Sequence, residues 1–310
     1  MSSPVRLGIV GLGYMGRLHL QKALQSPRTQ VVALFDTSPT CHIELQEKGL
    51  PVVDDYETLL AKVDAVIIAS PTPTHVFYAA AALRAQKHIL IEKPVVTTPE
   101  ELDLLLRLQE EMDVVTVVGH IERFNPAFRS LWPLRHLFWQ YSFERIAPWV
   151  PRGSEVSVVL DLLIHDLDLF WALTEGRIAE MRVSAYRSHS DTPDSVQLYI
   201  DLVGGRGASF LVSRVAPHKR RRIVAHGPSI WAEADLLSRT AQFWCLTPEM
   251  ETPLPSSYPE DALSAELEHF LSCIQEGRES FLSLAHVYPV MEWTWQVAAM
   301  AESRLLFSPR

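Results

Sequence analysis

The sequence predicts an α/β chain in two parts. Residues 1–120 read as a doubly wound parallel sheet, and residues 121–310 as an α+β domain with a large, mainly antiparallel open sheet. Three observations carry this. The first part alternates short apolar runs with amphipathic segments, as strands and crossover helices do in a parallel sheet. Its first apolar run, Leu7 to Val10, goes straight into Gly11-x-Gly13-x-x-Gly16. From Met181 onward, strand-length segments follow one another with turn residues such as Gly204-Gly205 between them, the habit of antiparallel pairing. The closing helices are expected to pack back on the first part.

The 310 residues suffice for two ordinary cores, and 47% apolar with 21% charged is a globular composition. A net charge of −9 argues against nonspecific nucleic-acid binding. Cys41, Cys245 and Cys273 are far apart and form no CxxC or Cys/His pattern, so neither a disulfide framework nor a structural metal site is expected. No apolar run approaches the roughly 20 residues that span a bilayer. The sequence enters a strand at once, which leaves no room for a signal peptide. A cytoplasmic location without membrane insertion is the expectation.

Taken in order, the first strand and its glycine turn lead into an amphipathic helix to about Gln25. Gly11 allows the tight turn, Gly13 lets backbone approach a pyrophosphate, and Gly16 lets helix pack close to strand. The helix N-terminus presents N–H groups to the phosphates. A second run, Val31 to Phe35, ends in Asp36, twenty residues after Gly16. An acidic side chain there accepts from ribose hydroxyls and repels a 2′-phosphate, which favours NAD over NADP. Helices near Pro39–Lys48 and Thr58–Ala61 precede the strand Ala65–Ala69, which ends in Ser70-Pro71-Thr72-Pro73-Thr74-His75. A helix through Ala85, a strand His88–Ile91, then Glu92-Lys93-Pro94, a helix Pro99–Glu111 and a strand Val114–Val118 complete this Rossmann-type unit. Ligands sit beyond the carboxyl ends of such strands, and Asp36, Thr72, His75, Glu92 and Lys93 all fall there.

After Gly119 a crossover, His120 to Pro126, leads to a helix start at Pro126. A long helix is expected over Val156–Thr174, stopped by Gly176. Strand segments follow at 181–188, 196–203, 208–215, 222–225 and 229–234, then helices near 262–275 and 287–303.

On the long helix, Asp161, His165 and Asp168 stand at i, i+4 and i+7, a polar stripe on an otherwise apolar surface. Three readings stay open: a core histidine pinned between aspartates, a carboxylate-supported general base, or a metal site that lacks further ligands. Lys93 is either a solvated lysine or an ammonium that holds a substrate hydroxyl beside the nicotinamide. The run His218-Lys219-Arg220-Arg221-Arg222 is either a solvated face or an anion site helped by Arg123, Arg152 or Arg214. The eight tryptophans suit core packing or a subunit interface.

Together these motifs resemble the glucose–fructose oxidoreductase/inositol dehydrogenase/MocA (Gfo/Idh/MocA) family, from the first strand to the final helix. They are Gly11-Leu-Gly13-Tyr14-Met15-Gly16, Ser70-Pro71-Thr72-Pro-Thr-His75, Glu92-Lys93-Pro94 and Asp161-x-x-x-His165. The resemblance implies an NAD-dependent oxidoreductase, with Gly11 to Gly16, Asp36, Ser70 to Thr72, His75, Glu92 and Lys93 at the cofactor. In that family the motif lysine and the helix histidine meet over the nicotinamide, which implies catalytic roles for Lys93 and His165, with Asp161 as companion.

Within the family, Gly119-His-Ile-Glu-Arg123-Phe-Asn125-Pro, Pro151-Arg152-Gly153 through Asp168, and Ser213 through Arg221 look closest to members that oxidise the 3-hydroxyl of UDP-N-acetylglucosamine. A separate aminotransferase then converts that ketone to an amine for lipid A precursors. This implies substrate contacts from Arg123, Asn125, Arg152, Asp161 and His165, no metal, and a homodimer or homotetramer. The chain departs from many relatives in lacking a Gly-Gly-Gly run before the helix aspartate and in carrying Val95-Val96 after the lysine motif. Two alternatives remain: a different sugar, inositol or carbonyl substrate, and a noncatalytic NAD-binding regulator.

Overall fold

The computed structural model describes residues 3–150, 156–247 and 261–306, and these form two units. One comprises residues 1–120 with Leu263–Tyr288, the other Ile121–Ala262 with Pro289–Arg310.

The first unit begins with β1 (Val5–Val10), α1 (Tyr14–Gln25) and β2 (Thr29–Phe35), followed by α2 (Pro39–Glu47), α3 (Tyr56–Lys62) and β3 (Ala65–Ile68). It continues through α4 (His75–Arg84), β4 (His88–Glu92), α5 (Pro99–Glu110) and β5 (Thr116–Gly119). Its five strands are parallel in the order β2-β1-β3-β4-β5. The strand order reverses between β1 and β3, so a crevice opens at their carboxyl ends. Ala65 to Ile68 and Ile89 to Ile91 are wholly buried, as apolar strands covered on both faces should be. The α5 helix starts with a capping box, in which the Thr98 hydroxyl and the Glu101 carboxylate satisfy each other's backbone N–H groups.

The second unit contains α6 (Pro126–Leu131), β6 (Gln140–Ile146) and α7 (Ile164–Thr174). Six strands follow: β7 (Ile178–Tyr186), β8 (Ser195–Leu202), β9 (Gly207–Ser213), β10 (Arg220–His226), β11 (Ile230–Asp235) and β12 (Thr240–Cys245). The chain closes with α8 (Ala262–Glu276), α9 (Leu284–Ser303) and the two-residue β13 (Leu305–Leu306). The sheet order is β12-β11-β10-β6-β9-β8-β7-β13. Pairing is antiparallel except between β6 and β9 and between β7 and β13. Inward residues alternate with outward ones. Phe143 stacks on Phe210 at 4.9 Å, and Phe170 of α7 meets Phe210 edge-on at 5.6 Å.

The strands β6 and β12 were not anticipated. In β6 the inward positions Tyr141, Phe143 and Arg145 end in a charged residue, which blunts the alternating apolar signal. The expected long helix is also modified. A π-helical turn occupies Val159–Leu163 ahead of α7, and the left-handed residue that ends α7 is Glu175 (φ 46°), not Gly176. At Gly176 a Cβ would lie 2.5 Å from Leu202 Cδ1, so a larger residue there would push that side chain aside.

Candidate active site

The crevice of the first unit is built on three glycines with different jobs. Gly11 has φ +80°, and a Cβ on it would lie 2.4 Å from the Ser70 backbone nitrogen, so the turns after β1 and β3 touch through bare backbone. A Cβ on Gly16 would fall 1.8 Å from the Gly11 carbonyl oxygen, so α1 packs directly on the turn. Around Gly13, the N-cap of α1, a Cβ would meet nothing within 4 Å. The first two are demanded by the fold. The third leaves a space where backbone faces outward, which fits a pyrophosphate.

Asp36 stands just beyond β2. One of its carboxylate oxygens accepts from the Leu12 N–H at 2.6 Å and the other from Ser38 N–H at 2.8 Å, so it ties the glycine turn to the end of β2. After β3, the Thr74 hydroxyl donates to Ser70 Oγ at 2.8 Å, inside a 3₁₀ turn over Thr72–Thr74. The His75 ring reaches the Ser70 carbonyl at 2.7 Å and the Pro94 carbonyl at 3.0 Å. Burial holds the His75 imidazole below its ordinary pKa, while these carbonyls pull the other way. His75 thus pins the loop after β3 to the loop after β4. Lys93 is half-buried there, and the Lys93–Pro94 peptide is cis. The Glu92 carboxylate turns inward to His19 Nε2 at 2.8 Å. Tyr14 is exposed and Met15 half-buried at the start of α1.

In the second unit the π-turn carries Asp161 and the first turn of α7 carries His165, both half-buried. Asp166 and Asp168 are fully buried and point at arginines. Arg123 grips Asp168 with Nε at 2.6 Å and a terminal nitrogen at 2.8 Å. Arg145 grips Asp166 with nitrogens at 2.7 and 3.0 Å and also donates to Glu122 at 3.0 Å. Arg145 and Arg221 outweigh burial and hold the Glu122 carboxyl below its ordinary range. Asn125 caps the Ala127 N–H and donates to Glu122 and to the Leu236 carbonyl.

These contacts redraw the expected polar stripe. Asp168 belongs to Arg123, and the clamps on Asp166 and Asp168 set the rotation of the helix that carries His165. The basic run also resolves into pairs: Arg220 with Glu144 at 3.1 Å, Arg221 with Glu122 at 2.9 Å, and Arg222 with Glu233. Arg152 lies outside the described residues. Sequence reasoning missed His19, Arg145 and Glu266. The last had a legible signal, because Glu266 sits on the apolar stripe Leu263, Leu267 and Phe270 of α8.

A 2-1-3-4-5 parallel sheet with a glycine turn at its switch point and an acidic residue after β2 fits a dinucleotide-binding domain. Residues 5–120 match the model of the oxidoreductase family with NAD-binding Rossmann fold, and residues 113–232 match the Gfo/Idh/MocA C-terminal domain. The chain belongs to the Gfo/Idh/MocA family, and it is an NAD-dependent oxidoreductase of sugar-type alcohols.

It is 34% identical over 289 residues to UDP-N-acetylglucosamine 3-dehydrogenase of Acidithiobacillus ferrooxidans, covering 89% of this chain and 91% of that one. A solved structure of that enzyme superposes with a TM-score of 0.91 at 32% identity, over 98% of this chain and 100% of the other. An inositol 2-dehydrogenase of Acidothermus cellulolyticus is 30% identical over 199 residues, 60% of this chain and 58% of its own. Among the described residues no helix is long and apolar enough to cross a membrane.

Proposed function

We propose that this chain oxidises the 3-hydroxyl of UDP-N-acetylglucosamine to the 3-keto sugar. The observation that carries the reading is the 34% identity across nearly the full length of the Acidithiobacillus ferrooxidans 3-dehydrogenase. NAD, when bound, accepts the hydride released from carbon 3. Gly11, Gly13 and Gly16 shape the pyrophosphate cradle, with Tyr14, Met15, Ser70, Pro71, Thr72 and His75 around it and Asp36 placed for the adenosine ribose. The Lys93 ammonium steadies the negative charge that develops on the substrate oxygen. His165, with Asp161 as companion, takes the hydroxyl proton. Arg123 and Asn125 are assigned to holding α7 and its neighbours, since their polar groups are already engaged there.

The inositol dehydrogenase relatives favour a second substrate class, a free polyol. The engaged arginines of the basic run remove one argument for a diphosphate, so the substrate panel decides. The same proposal places the reaction in the cytoplasm, ahead of an aminotransferase that consumes the ketone, and in a homo-oligomer.

The test is NADH formation from NAD and UDP-N-acetylglucosamine with a ketone trap present, because alcohol oxidation by NAD is uphill near neutral pH. Lys93→Ala and His165→Ala are each expected to abolish turnover while NADH still binds. Full activity in both variants overturns the residue assignment, and turnover of free inositol alone overturns the substrate.

A further inference from the structure

Three side chains from separate elements converge inside the first unit: His19 of α1, Glu92 at the end of β4, and Glu266 of α8. They are 1%, 9% and 0% exposed. His19 Nε2 and Glu92 Oε1 are 2.8 Å apart, and one donor atom from each of the three lies within 4.8 Å of the others. Neither carboxyl oxygen of Glu266 has a hydrogen-bond partner, nor does His19 Nδ1. The end of β5 closes the pocket, since a Cβ on Gly119 would lie 3.3 Å from the Glu92 carboxylate.

Two carboxylates so close cannot both stay ionised in an apolar interior without something positive between them. A divalent cation or a proton meets that need. Two ligands on a tetrahedral zinc, each about 2.0–2.2 Å from the metal, stand roughly 3.3 Å apart. The 2.8 Å separation of His19 and Glu92 is instead hydrogen-bond length. The proton is therefore the better fit.

We propose that Glu266 is a resident carboxylic acid whose neutral form lets Glu92 stay ionised beside it and, through the Glu92–His19 hydrogen bond, holds the Glu92-Lys93-Pro94 turn in place. Burial first, and the neighbouring Glu92 second, push the Glu266 carboxyl well above its ordinary range. The titratable groups that face it are Glu92 from β4 and His19 from α1. On α8 itself Glu268 is paired with Arg28, and His269 with Ser280. Glu266 is a positioning residue, and only its link to turnover rests on the role proposed for Lys93.

The test uses the full chain as wild type, Glu266→Gln and Glu266→Ala. Infrared difference spectra at neutral pH are expected to show a carboxylic-acid C=O band in wild type that is lost in Glu266→Gln. The amide keeps the side chain neutral and close to its shape, so Glu266→Gln should retain kcat/KM within about threefold while Glu266→Ala loses at least tenfold. Thermal unfolding supplies a readout independent of substrate. An unfolded Glu titrates near 4.3, so a folded protein that keeps this proton loses stability as pH rises above that value. The Tm of wild type relative to Glu266→Gln should therefore fall steadily from pH 5 to pH 8. A flat Tm difference with no acid band, or one tightly held divalent metal ion per chain, overturns the proposal. Either result stands whichever sugar is the substrate.

Discussion

Gly13→Ala separates a cofactor cradle from a folding requirement. The added methyl meets no atom within 4 Å, and φ at Gly13 is already −66°. The neighbouring glycines behave differently, because a methyl at Gly11 or Gly16 meets backbone atoms at 2.4 and 1.8 Å that cannot swing aside. Gly11 also carries the left-handed φ, a penalty of about 1–2 kcal/mol for any other L residue, and overpacking adds about 1–3 kcal/mol. Gly11→Ala and Gly16→Ala should thus cost at least about 2 kcal/mol each, whereas Gly13→Ala should stay within about 1 kcal/mol of wild type.

If the space over Gly13 belongs to the pyrophosphate, the methyl fills it and weakens contacts to a charged group worth about 1.5–3 kcal/mol each. NADH should then bind at least about tenfold more weakly, since each 1.4 kcal/mol is a factor of ten. Fluorescence titration of NADH and urea unfolding on the same preparations read both quantities. Wild-type NADH affinity in Gly13→Ala, or a stability loss equal to that of Gly11→Ala, refutes the reasoning.

Asp166→Ala leaves the fully buried Arg145 with Glu122 alone, and losing one partner of a buried pair costs about 3–5 kcal/mol. Urea denaturation should show that loss, and a change under about 1 kcal/mol would mean the clamp on α7 is dispensable. The outer face of the second sheet exposes Tyr186, Tyr199, Leu211 and Trp244 in alternation with buried residues, an aromatic surface suited to a second copy. Light scattering after size exclusion should give a multiple of 35.0 kDa, and Tyr199→Glu should shift it toward the monomer.

The first unit was largely legible because its signals are local. Gly11, Gly13 and Gly16 sit within six residues, Asp36 follows at the end of the next strand, and each buried strand reads as one apolar run. What escaped was chemistry assembled across long separations. His19 and Glu92 are 73 residues apart, and Arg123 and Asp168 are 45 apart. No periodicity links such pairs. The basic run shows the same limit from the other side: residues 218–222 read as a solvated face or an anion site, yet β10 directs Arg220, Arg221 and Arg222 to Glu144, Glu122 and Glu233 on neighbouring elements.

The helix bearing His165 shows why that limit matters for chemistry. Under an unbroken α-helical period, Asp161, His165 and Asp168 share one stripe, and a histidine flanked by two carboxylates follows. The π-turn at Val159–Leu163 adds a residue to the turn that carries Asp161 and so rotates it relative to everything after Ile164. The two aspartates at 166 and 168 then turn to Arg145 and Arg123, which consumes both carboxylates in bidentate pairs. A rotation of α7 that exposed His165 differently would have to break two buried ion pairs at once. The arginines therefore make the direction of His165 a property of the core, leaving Asp161 as the carboxylate of the expected stripe that is not bound into those clamps.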